Sequence, residues 1–233
     1  MSSANSTIHD SKVSPQFNNF DFGEELTALN MYHLIGKLDP IILEIGANCG
    51  QSTLTFTEQM PNATIYCFEP DPRAISKFKR IIQQPNVHLI EAAVGANSGY
   101  VMFNQSSGAE HIDPNGWDHS GSIRKPKSHL QLWPGIKFEK QIPVPLIKLD
   151  DWARQSNIHQ VDFIWADVQG AESDLILGAL EILRNTRFFY TEYADDEQYE
   201  GQINFHTLSM LMQSHGFHIL HKFPHDVLFH RVN

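Results

Sequence analysis

Glu44-Ile-Gly-Ala-Asn-Cys-Gly50 decides the fold of this chain. It follows the apolar run Ile41-Ile-Leu43 and opens a helical pattern that starts near Gln51 and stops at Pro61. A buried strand ending in an acid and a glycine turn brings backbone close to a ligand that a Cβ would exclude. The helix start adds free N–H groups. A second strand, Thr64-Ile-Tyr-Cys-Phe68, ends in another acid, Glu69. In a doubly wound sheet an acid at the second strand tip grips a ribose diol. These residues predict a mononucleoside-type cofactor. Three residues separate Gly46 from Gly50, with Asn48 where a dinucleotide motif has glycine, and no P-loop lysine follows. The competing account of the same residues is a tight strand-to-helix turn without a ligand.

Working outward, the chain alternates β and α patterns. Residues 1–19 are polar and predict a flexible lead-in, followed by one domain over 20–233. Leu26, Leu29, Leu34 and Leu38 set a helical stripe between Phe22 and Leu38. Asp71 before Pro72 predicts a capped helix carrying Ile75, Phe78, Ile81 and Ile82, and Val87–Ile90 reads as the third strand. After an extended run at Tyr100–Phe103, residues 104–140 break the rhythm. Their Ser, Gly, Pro and His content around Trp117 and Trp133 predicts an ordered lid over the acceptor side of a crevice, with a plain surface excursion as the competing account. Ser120-Gly-Ser-Ile-Arg124, His111 and His119 are its expected acceptor contacts. Strands at Val144–Ile147, Val161–Ala166 and Phe188–Tyr193 then alternate with helices near Asp150, over Glu172–Leu183 and over Ile203–Gln213, the last stopped by Gly216. Phe217–Leu220 and Val227–Phe229 are close enough to pair antiparallel. The expected class is α/β, a Rossmann-like doubly wound sheet, mostly parallel with an antiparallel C-terminal edge.

The run Asp162-Phe-Ile-Trp-Ala-Asp-Val-Gln-Gly-Ala-Glu172 repeats the strand–acid–glycine–helix pattern. The strands flanking the switch point of such a sheet share one crevice, which would set Asp167 opposite Gly46–Gly50. A plainer role for Asp167 is to cap the helix that follows. Taken in order, E-I-G-A-N-C-G-Q-S at 44–52, C-F-E-P-D-P at 67–72, E-A-A-V-G at 91–95, P-L-I-K-L-D-D-W at 145–152, D-V-Q-G-A-E at 167–172 and Thr191-Glu192 resemble an FkbM-type methyltransferase. The resemblance runs from about Leu43 to Leu220. It implies a sheet of the class I methyltransferase type and methyl transfer from S-adenosylmethionine to a hydroxyl on a sugar, glycan or secondary metabolite. It also implies a cofactor site of Glu44, Gly46, Asn48, Gly50, Gln51, Ser52, Glu69, Ala92 and Asp167. Two positions depart from the family pattern: Trp165 stands where many members have lysine, and Gln169 where many have glutamate. Both bear on acceptor choice, not fold.

Removing the proton of an acceptor hydroxyl calls for a base, and Asp167, Glu192, His111 and His119 are the candidates. His215, His218 and His221 pass from a helix end into a strand and point different ways, so no metal site is expected. A net charge of -10 excludes a partner bound through its phosphate backbone. Cys49 and Cys67 are too few for a disulfide framework, and no apolar run reaches membrane-spanning length, which together predict a cytoplasmic protein. The acceptor partner is then a small molecule or glycan, with no nucleic acid or membrane. A non-catalytic binding module on the same fold is the alternative. Glycine spacing disfavours a nicotinamide dehydrogenase.

Overall fold

Ile41–Ile45 forms β1, an interior strand of a seven-stranded sheet, and the chain winds outward from it first to one side and then to the other. The computed structural model describes residues 17, 20–109, 111 and 116–232. In chain order β1 is followed by α2 (Gln51–Gln59), β2 (Thr64–Phe68), α3 (Pro72–Ile81) and β3 (Val87–Ile90), with α1 (Ala28–Ile35) before it. The second half supplies α5 (Leu149–Gln155), β7 (Val161–Ala166), α6 (Glu172–Gly178), β8 (Thr186–Glu192), α7 (Phe205–Ser214), β9 (Phe217–Lys222) and β10 (Asp226–Arg231). Strand order is β3-β2-β1-β7-β8-β10-β9. β10 runs antiparallel to β8 and β9, and the other pairs are parallel. The expected mostly parallel sheet with an antiparallel C-terminal edge is therefore present.

Strand alternation sorts the core into two layers. Ile42, Ile65, Phe163 and Phe188 pack beneath Leu34 of α1, Phe56 of α2 and Phe78 of α3. Leu43, Ile45, Ile164 and Phe189 pack against Ala153 of α5, Ile176 of α6 and Met212 of α7. The same alternation turns Glu44 toward α2, where it is 2% exposed. Asp71 caps α3 by accepting from Arg73 N, with Pro72 in its first turn, as predicted.

Several boundaries differ from the sequence reading. α1 is shorter than the Phe22–Leu38 stripe because Thr27 caps its start and Gly36 closes it in the left-handed region, leaving Leu29 and Leu38 exposed. The expected helix Glu172–Leu183 stops at Gly178, whose missing Cβ makes room for the Gly95 carbonyl. The chain continues as a 3-10 turn, Ile182–Asn185, with Glu181 N and Ile182 N donating to Asp150 Oδ1. Of the expected lead-in, Phe17 is described and is buried against Phe188 and His230; the other residues of 1–19 lie outside the described residues.

The larger correction concerns 104–140. β5 (Gly99–Gly108) and β6 (Ile136–Ile147) extend well into it and pair antiparallel, joining β4 (Ala93–Val94) in a second sheet of order β4-β6-β5. Past Phe103 the apolar signal of β5 ends, because its next buried residues, Asn104, Gln105 and Ser106, are polar. Asn104 donates to the carbonyls of Ser122 and Arg124, and Gln105 donates to Asp71 Oδ1. Between the strands lies the short helix α4 (His129–Leu132). No helix among the described residues is long and apolar enough to cross a membrane.

Candidate active site

The switch point falls between β1 and β7, where Ile45 pairs with Ala166. Both strands end there, and Asp167 N donates to Ile45 O at 2.8 Å. A Cβ on Gly46 would sit 1.9 Å from the Asp167 carbonyl oxygen, and one on Gly50 would press on Ile82 and Phe78. Both glycines have positive φ. They are therefore required by the fold's own packing, and Gly50 borders neither crevice described next.

Two neighbouring crevices share a wall of Gly46, Asn48, His119 and Asp167. The larger in total free space, about 620 Å³ with its open mouth included, is lined by apolar Ile45, Phe68, Ala92, Val94, Phe103 and Ile123 and by the acids Glu69 and Asp118. The smaller, about 400 Å³, is lined by Glu44, Gln51, Ser52 and Trp165 among others. The segment between β5 and β6 closes the larger crevice through ties to the main sheet's connections. Asn48 Nδ2 donates to Asp118 O, Lys77 pairs with Asp118 at 2.7 Å, and Ser122 Oγ donates to Gln169 O. Gly121, Ser122 and Ile123 thus face the same chamber as Glu69 and Ala92.

The acids here are poised by burial. Glu69 accepts from Asn48 N at 2.8 Å through Oε2 and from Asp71 N at 2.7 Å through Oε1. Burial still pushes it up to about 8 against those two donors. Each oxygen keeps a lone pair for a further donor. Glu44 accepts from Thr53 and Cys67, and burial lifts it to about 7. Asp167 stands half-buried on the shared wall, raised by burial to about 6. It does not cap α6, whose N-cap is Ala171 with no side-chain bond; Glu172 instead accepts from Gly170 N. The helix-capping account of Asp167 is thereby removed.

Of the predicted site residues, the crevices bring together Glu44, Gly46, Asn48, Gln51, Ser52, Glu69, Ala92, His119 and Asp167. Glu192 reaches them indirectly, through Gln169. His111 is exposed beside Gly135 and borders neither crevice, so it is removed as a base candidate on geometry. Asp118, Phe103 and Tyr199 carry no local sequence signal; long-range pairing alone brings them in. Among the described residues no group of three or more His, Cys, Asp or Glu side chains is arranged to hold a metal ion.

The residues fit S-adenosylmethionine on three counts. The larger crevice offers an apolar slot ending at a carboxylate, suited to a nucleoside. The first turn of α2 has no side-chain cap and presents free N–H groups beside Gln51 and Ser52, suited to a carboxylate. Asp167 stands between the two, suited to a cationic sulfonium.

A doubly wound sheet with an antiparallel β10 beside β8, and a crevice at its switch point, is that of a class I S-adenosylmethionine-dependent methyltransferase. Within that class the chain belongs to the FkbM methyltransferase family: the model of the methyltransferase FkbM domain matches residues 44–219. It is 42% identical over 195 residues to the 2-O-methyltransferase NoeI of Sinorhizobium fredii (strain NBRC 101917 / NGR234), covering 83% of this chain and 79% of that one. It is 24% identical to Methyltransferase 1 of Beauveria bassiana (strain ARSEF 2860), covering 77% of this chain and 72% of that one. Among solved structures it is similar to the N-terminal domain of EvdMO1 with SAH bound, at 12% identity and a TM-score of 0.49, covering 88% of this chain and 79% of that one. The protein is an enzyme that transfers a methyl group from S-adenosylmethionine.

Proposed function

We propose that the enzyme methylates a hydroxyl oxygen, at the 2-position of an uncharged sugar or glycan, with Asp167 receiving the acceptor's proton. The observation that carries this is the place of Asp167: it ends β7 at the switch point and belongs to the wall shared by both crevices. The 2-O position is suggested by the printed activity of the 42% identical relative. Lack of charge on the acceptor is supported by the state of nearby cations. Lys77, Arg73 and Arg124 are already paired with Asp118, Asp71 and Asp174, and the chain carries a net charge of -10, which also disfavours nucleic acid. The free thiols Cys49 and Cys67 support a cytoplasmic reaction, and residues 20–233 acting as one domain complete the reading.

Glu69 would hold the ribose hydroxyls, the start of α2 the carboxylate end, and Ala92 the base. When bound, S-adenosylmethionine supplies a methyl carbon whose bond to sulfur breaks as the acceptor oxygen attacks it, leaving a neutral thioether. Asp167 orients the acceptor hydroxyl and takes its proton as that oxygen loses it. Methyl transfer to a neutral sugar should require a free 2-hydroxyl and be abolished by Asp167→Asn without a change in melting temperature. Equal turnover on the 2-deoxy sugar would refute the acceptor assignment. Equal turnover by Asp167→Asn would refute the proton assignment.

A further inference from the structure

Gln169 sits in the left-handed region, at φ 49, in the turn between β7 and α6. That turn swings its amide back over the strand tips. Gln169 Nε2 donates to Asp167 Oδ1 at 2.6 Å and to Glu192 Oε2 at 3.1 Å. An amide nitrogen has two hydrogens, and both are used on carboxylates from adjacent strands, β7 and β8. The partners fix the amide's orientation: turned over, its oxygen would face two carboxylates. On the other side the Tyr199 hydroxyl lies 2.9 Å from Gln169 Oε1 and 2.8 Å from the Ser120 carbonyl, and Ser122 Oγ donates to the Gln169 carbonyl at 2.7 Å. Tyr199 is itself buried, packed on His129 and Phe138 and seated where a Cβ on Gly170 would stand. Gln169 thus ties the two acids to the segment that roofs the crevice.

We propose that Gln169 is a positioning residue for methyl transfer, clamping Asp167 and Glu192 side by side at the strand tips so that the pair presents one carboxylate oxygen free to accept the acceptor's proton. The inference rests on the proton role proposed for Asp167. Its geometry is two acids on one nitrogen. The charges support it. Glu192 is raised well above the carboxylate range, first by the Asp167 charge and then by burial, so the two do not ionise together readily. Facing the pair are Asp226 and Glu172, which add negative charge, and His119, which lowers Asp167. Arg124 acts on Glu172, while His225, Tyr190 and Glu25 surround Asp226; Tyr199 closes the opposite side. The proton moves from the acceptor hydroxyl to the ionised member of the pair, and no other reactant is needed. Glutamate at 169 would set a third carboxylate there, whereas methionine would keep the bulk and remove the donor.

The test combines kinetics with a measurement made without cofactor. Carbon-13 carboxyl shifts of the cofactor-free protein should show Asp167 and Glu192 titrating in two coupled steps. In Gln169→Glu those steps should move up by a pH unit or more, and the acid limb of kcat should move with them, restoring turnover near pH 9. Gln169→Met should lower kcat at least tenfold while the acceptor KM and cofactor Kd change less than threefold. If Asp167→Asn retains turnover, the proton reading fails. If Asp167→Asn is inactive but Gln169→Glu leaves both the titration and the pH profile unmoved, the positioning role alone is overturned. Should either Gln169 variant unfold, the native protein still decides: independent one-step titrations of Asp167 and Glu192 refute the clamp.

Discussion

Replacing Glu44 with glutamine should flatten the dependence of stability on pH. Glu44 lies under α2 and is 2% exposed, with only Thr53 and the weak Cys67 thiol as donors. Burial raises it from 4.5 to about 7 in the folded state. The sign follows from proton linkage. Between those values the folded protein keeps a proton that the unfolded chain releases, so stability is fully present below the unfolded value and falls as pH rises toward 7. A shift of roughly 2.5 units at about 1.4 kcal/mol per unit makes the full loss about 3.5 kcal/mol. Glutamine can still accept from Thr53 and never ionises, so the variant should lack that loss. Urea unfolding of cofactor-free protein at pH 5 and pH 8 measures it, because bound cofactor would add its own stabilisation. Glu69, Glu172 and Asp167, raised to about 8, 7 and 6, act in the same direction, while His129, His221 and His230, lowered by burial, act against them, so the comparison between the two proteins isolates Glu44. The same pH slope in both proteins would refute the argument.

Further expectations follow from the same geometry. Glu69→Ala should weaken cofactor binding by roughly 1.5–3 kcal/mol, the worth of hydrogen bonds to a charged group, with calorimetry as the measure. Because ribose donors favour the ionised form, native cofactor affinity should rise with pH up to about 8, whereas Glu69→Gln should bind with little pH dependence. Gly46→Ala should cost about 2 kcal/mol or more of stability, since its methyl would meet the Asp167 carbonyl at positive φ; an unchanged melting temperature would count against that packing. Lys77→Met strips the buried Asp118 of its partner, and hydrogen exchange across residues 116–124 should quicken, with faster cofactor release. Unchanged exchange there would mean that the ion pair does not hold the roof.

How much could be foreseen depended on whether a feature was local. The bounds of β2, β3 and β7 are legible to the residue because their runs end sharply at Glu69, Glu91 and Asp167. The αβ alternation then fixed the switch point, and with it the meeting of Gly46 and Asp167. Side-chain direction followed a different rule. Glu44 belongs to the same motif as Gly46, yet period-two alternation sends its carboxylate beneath α2, where it borders the smaller crevice while bonding to Thr53 and Cys67. The glycine at 46 also serves the fold: it lines both crevices, and a Cβ there would meet the protein's own Asp167 carbonyl. The second sheet escaped notice because Asn104 and Gln105 are buried for hydrogen bonds to residues far along the chain, and hydrophobic periodicity cannot register that.

Gln169 joins these two lessons. In sequence it was only a departure from a family pattern, beside Trp165, and no periodicity singled it out. In the fold, Trp165 packs edge-on to Phe56 and tilted against Tyr190 and needs no charged partner, while the neutral Gln169 amide satisfies two acids at once. A lysine in place of Trp165 and a glutamate in place of Gln169 would carry opposite charges; tryptophan and glutamine carry none. The local charge therefore stays balanced with both replacements together and is upset by either alone. Reverting Gln169 to glutamate should accordingly harm turnover more in the Trp165 background than in Trp165→Lys, and a double-mutant cycle on kcat measures the difference. Additive losses would mean that the two positions vary independently.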